Sequence, residues 1–85
     1  MRVTLRYFAS LREALGSVEI VDIAPGTTLA DLRLQLIASS PRHAQALRLD
    51  RALRCAVDRV LTSDDRVALV AEGFEVAFFP PVTGG

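Results

Sequence analysis

An α+β fold is predicted for this chain, with one main helix packed on one face of a mixed sheet of four to five strands. Three observations predict it. Residues 2–8 alternate in hydropathy with the period of a half-buried strand. Leu29, Leu32, Leu36 and Ile37 recur at the spacing that gives a helix one apolar stripe. The remaining apolar segments are short and bounded by Pro-Gly, Asp-Arg and Glu-Gly pairs, which suits strands joined by turns.

Each element follows in order. In the first strand Val3, Leu5 and Tyr7 share one face, and Thr4 and Arg6 share the other. Phe8 falls out of phase, onto the polar face; it either folds inward past the strand end or stands exposed for a partner. Residues 9–15 read as a short helix, with Ser10 as a candidate N-cap, Leu11 and Leu15 on one face, and Gly16 as the stop. Residues 18–23 form a second strand paired with the first, its alternation blurred because Ile20 and Val21 are neighbours. Pro25-Gly26 turns the chain, and Thr27 or Thr28 caps the main helix. Thr28 with Asp31 resembles a capping box. Ser39-Ser40-Pro41 ends that helix.

Arg42 to Leu49 reads as a further short helix, with His43 a lone surface histidine rather than a metal ligand. Residues 53–57 and 60–61 flank Asp58-Arg59 at the spacing of a tight hairpin, although Arg59 stands where a primed turn favours glycine. Cys55, mid-strand, reads as a buried, inert thiol. Residues 62–65 are a polar loop, 66–71 a short apolar segment, and 74–79 the last strand. Val76 and Phe78 share one face of it, and Phe79 points the opposite way.

Strand, strand, helix, strand, short strand, strand is the order of the β-grasp, or ubiquitin-like, arrangement. Its first and last strands are central, parallel neighbours. That topology would put Phe8 and Phe79 at similar depth on one outer face.

Composition narrows the function. With 85 residues the chain makes one domain, here residues 1–79, followed by an extended tail, 80–85. Apolar residues make up 51% of it, so an exposed apolar patch is expected. The formal net charge of zero argues against a nucleic-acid partner, which would call for a basic excess. All ten basic residues are arginines, so the chain offers no lysine for an isopeptide bond. A single cysteine excludes an internal disulfide framework and a cysteine-rich metal site. No apolar run reaches the length of a membrane span, and no signal-peptide pattern precedes the first strand, so a cytoplasmic location is expected. No nucleophile–base spacing, glycine-rich phosphate loop or metal-ligand cluster is recognisable, and Glu72 and Glu75 read as solvated charges.

The tail is the distinctive stretch. Pro80 and Pro81 fix φ and cannot donate to a ladder, so the sheet stops there and the chain runs extended. Val82 and Thr83 continue it, and Gly84 and Gly85 strip the backbone of side chains, so the tip passes through a narrow slot. The six residues reach roughly 20 Å at about 3.3 Å each. Such a stalk suits insertion into another protein's active site. Its reactive group is the α-carboxylate of Gly85.

The segment Glu75-Val-Ala-Phe-Phe-Pro-Pro-Val-Thr-Gly-Gly85 closely resembles the carboxyl terminus of the MoaD family, the sulfur-carrier small subunits of molybdopterin synthase. Tyr7-Phe8-Ala9 with Leu11-Arg12-Glu13 is also similar to that family. Phe74, in place of an acidic residue, and Asp58, in place of a common asparagine, depart from its pattern. The resemblance implies that Gly85 is adenylated by a MoeB-like activating enzyme that consumes ATP. A sulfur donor protein then converts it to a thiocarboxylate. The tail, residues 80–85, enters the active site of a large, MoaE-like subunit and supplies sulfur for the molybdopterin dithiolene, made from cyclic pyranopterin monophosphate. It implies a heterotetramer, an apolar interface at Phe8, Leu61 and Phe79, no bound cofactor or metal, and catalytic groups on the partner. Three alternatives stay open: a ThiS-type carrier or one serving tRNA thiolation, a ubiquitin-like protein modifier, and a plain interaction domain.

Overall fold

A computed structural model of the chain describes residues 1–62, 66, 68–69 and 74–81. The strands are β1 (Arg2–Tyr7), β2 (Val18–Asp22), β3 (Thr27–Thr28), β4 (Arg54–Val57), β5 (Val60–Thr62), β6 (Ala68–Leu69) and β7 (Glu75–Phe79). The helices are α1 (Ser10–Leu15), α2 (Leu29–Ser39) and α3 (Pro41–Ala46). The main sheet runs β2-β1-β7-β4-β5. β1 and β7 are parallel neighbours, and the other pairs are antiparallel. The expected mixed sheet on one main helix is therefore present, with β7 at its centre.

The core lies between that sheet and the helices. Val3, Leu5 and Tyr7 of β1 and Val76 and Phe78 of β7 face Leu11, Leu29, Leu32, Leu36 and Leu47, and all are buried. Ile37 completes the α2 stripe, half-buried against the same cluster. Tyr7 and Phe78 pair in register and stack at 6.4 Å. Thr28 caps α2 as expected, its Oγ1 accepting from the Asp31 N–H at 3.1 Å. Arg33 ties the segment after α3 to α2 by donating to the carbonyls of Leu47, Arg48 and Arg51.

Several sequence expectations are corrected. Ser10 does not cap α1; Ala9 holds that position at φ 54°, and the Ser10 hydroxyl instead accepts from Arg51. The third helix starts at Pro41, with Ser40 as its N-cap, and ends at Ala46, leaving Leu49 exposed. β3 and β6, two residues each, form a separate small sheet that was not anticipated. Cys55 is only half-buried. Glu75 is not a free charge: its carboxylate pairs with Arg6 at 3.0 Å. Glu72 and most of the 62–65 loop lie outside the described residues.

Both departures from the family pattern have a local account. Phe74 packs half-buried against the core. Asp58 donates its N–H to the Glu75 carbonyl, and its Oδ1 accepts from the Glu75 N–H, locking the β4–β5 turn to the start of β7. That turn has positive φ at both central residues, Asp58 at 49° and Arg59 at 70°. Aspartate tolerates this region, but arginine is strained there. Arg59→Gly is therefore expected to stabilise the fold by about 0.5–1 kcal/mol, net of glycine's greater unfolded entropy. A higher urea midpoint at unchanged slope is the readout.

Candidate functional site

The tail grows from the central strand of the sheet. β7 is paired with β1 on one side as far as Phe78 and with β4 on the other as far as Phe79. Pro80 and Pro81 then leave the ladder, both half-buried. Pro81 lines a cavity of about 390 Å³ with Phe78, Leu29, Arg33, Leu53 and Cys55. The root of the tail thus has a fixed direction, set by core packing below it. Val82, Thr83, Gly84 and Gly85 lie outside the described residues.

Beside that root is the sheet's outer face, away from the helices. Phe8 and Phe79 meet there edge-to-face, their ring centroids 6.5 Å apart. Phe8 is 47% exposed, and its N–H donates to the Phe78 carbonyl, which holds it at the depth of Phe79. Leu61, 59% exposed, stands across from Ala56, and Ala56 stands across from Ala77. Two alanines therefore leave a shallow saddle between Leu61 and the aromatic pair. The register brings all three expected interface residues onto one surface.

Two further residues share that face and were missed. Ile20 lies opposite Thr4 and Val18 opposite Arg6, exposed by 62% and 47%. The blurred alternation of β2 was the available signal: once Val21 is taken inward opposite Val3, Ile20 must face out. The Arg6–Glu75 pair sits among these apolar groups, so the patch carries two opposite charges held together.

His43 is not a lone surface histidine. Its Nε2 lies 2.8 Å from Glu19 Oε1 and its Nδ1 2.7 Å from Ser40 Oγ. The Tyr7 hydroxyl donates to the same Glu19 oxygen at 2.9 Å, so this network ties α3 to β2 and β1 behind the functional face. Burial, and then the hydrogen bond and charge of Glu19, hold the Tyr7 phenol far above its ordinary value of 10.0. A raised folded value means this contribution to stability is complete below about pH 10 and is lost as pH climbs past it. Tyr7→Phe should flatten that alkaline fall, as measured by urea midpoints from about pH 8 to about pH 11.

Among the described residues no helix is long and apolar enough to cross a membrane. The chain matches the ThiS family over residues 5–85. It is 41% identical over 83 residues to the molybdopterin synthase sulfur carrier subunit of Escherichia coli strain K12, covering 98% of this chain and 99% of that one. Among solved structures, the HVO 2177 protein of Haloferax volcanii is similar at a TM-score of 0.80 and 26% identity, covering 100% of this chain and 87% of that one. The complex of subunits 1 and 2 of molybdopterin-converting factor from Helicobacter pylori 26695 also contains the fold. There the TM-score is 0.68 and the identity 21%, with both chains fully covered.

Proposed function

The chain belongs to the ThiS family, and from that premise we propose that it is the sulfur-carrier small subunit of molybdopterin synthase, working in the cytoplasm. The near-full-length identity to the Escherichia coli carrier is the observation that carries this reading. The geometry supports it: Pro80 and Pro81 lead the chain off the central strand beside an apolar face.

The chemistry centres on the carboxylate of Gly85, the proposed reactive residue. A carboxylate with an ordinary value near 3.5 is ionised at neutral pH and is a poor acyl donor. An adenylating enzyme would join it to the α-phosphorus of ATP with loss of pyrophosphate. Sulfide delivered by a donor protein would then attack the carbonyl carbon and displace AMP, leaving a thiocarboxylate. A Cβ at Gly85 would crowd phosphorus and sulfur in turn. Pro80 to Gly84 would thread the tip into the large subunit's active site, where the catalytic groups reside and sulfur passes to cyclic pyranopterin monophosphate. Phe8, Leu61 and Phe79 would seat the sheet on that subunit, two small and two large chains making the synthase.

Deleting Gly84 and Gly85 tests this. The shortened protein should still bind the large subunit yet support no molybdopterin synthesis in a reconstituted assay. Full synthesis by the shortened protein would refute the carrier role. Isopeptide-linked adducts formed through Gly85 would mark a protein modifier instead.

A further inference from the structure

The helical layer carries a second surface, on the far side of the sheet from Phe8 and Phe79. α3 packs between α1 and α2. A shallow groove of about 640 Å³ runs along it, floored by Ala14, Pro41 and Ala46 and rimmed by Arg42, Arg48 and Arg51. Glu13, the acid of α1, does not line it. The only carboxylate ion-paired to the rim among the described residues is Asp50, 3.1 Å from Arg48 on the open surface. Arg51 donates to the Ala46 carbonyl and the Ser10 hydroxyl, which leaves its charge unbalanced. Arg42 makes no ion pair among the described residues. In a chain of zero net charge, the groove is a local positive centre.

We propose that this groove docks an acidic peptide segment of a partner protein. Its carboxylates would lie on the guanidinium forks, which match them in plane and spacing. A small apolar side chain would rest on the alanine–proline floor. That floor favours a peptide, since a bare phosphate has no use for apolar contact. Because the groove and the outer sheet face lie on opposite sides, both can be occupied together. The site does not involve Gly85, so it stands or falls apart from the carrier role.

The test uses the full chain and a fluorescein-labelled synthetic peptide of glutamate and alanine. Binding is read by anisotropy, and its location by amide NMR shifts. Shifts should fall on Ala14, Gln45 and Ala46. Affinity should weaken as the Debye length falls from about 30 Å at 0.01 M salt to about 8 Å at 0.15 M. Arg42→Glu with Arg48→Glu should weaken it by about tenfold or more, by removing two attractions and adding two repulsions. Both side chains are exposed, so the fold should persist, as circular dichroism checks; Arg42→Ala with Arg48→Ala is the milder pair if it does not. Equal affinity for the substituted protein, or shifts confined to the Phe8–Phe79 face, would overturn the proposal.

Discussion

Phe8→Asp is expected to weaken docking on the large synthase subunit by roughly 30-fold or more, the loss typical of an aromatic anchor at the centre of an interface. Phe8 is suited to that role because half of it is already in water and its main partner is Phe79, on the same face. A charge there would be desolvated when the partner covers the saddle beside Leu61. The fold itself should lose little: the ring belongs to no core cluster, and an edge-to-face pair is worth about 0.5–1.5 kcal/mol. Calorimetric titration against the large subunit gives the affinity, and a thermal melt of the free chain gives the stability. A matching affinity for both proteins would remove Phe8 from the interface.

Phe78→Ala is expected to do the reverse, costing about 3–5 kcal/mol of stability through lost burial and the cavity left behind. Phe78 is 1% exposed in the central strand, stacked on Tyr7 and pinned by ladders on both sides. A domain of this size has on the order of 5–15 kcal/mol in all, so the substitution takes about a fifth of it or more. A urea titration should show a much lower midpoint. Phe79→Ala, one residue on but facing out, should move that midpoint far less. The contrast between these neighbours follows from the period of two in a strand.

The same period made much of the functional face legible in the sequence. Phe8 and Phe79 broke phase in strands whose other residues kept it, and parallel pairing of β1 with β7 brought them into contact. The α2 stripe and the Thr28 cap were legible because both depend on residues within a few positions of one another. What could not be read depends on distant partners. His43 is fixed by Glu19, 24 positions away, and Ser10 is taken from its capping role by Arg51, 41 positions away. β3 and β6 are two residues each, too short for periodicity to register. Ile20 stayed ambiguous because β2 places two apolar residues side by side, and only its register against β1 assigns them to opposite faces.

Tandem mass spectrometry of the protein isolated from its native host tests the carrier role most directly. Replacing oxygen by sulfur at Gly85 and oxidising Met1 or Cys55 add the same nominal mass, so the gain must be mapped to the final residue. The expected result is a fraction of chains whose added mass lies on Gly85 and reacts there with an alkylating agent. If Gly85 is always a plain carboxylate, even after incubation with an adenylating enzyme, ATP and a sulfur donor, the chain is not a sulfur carrier.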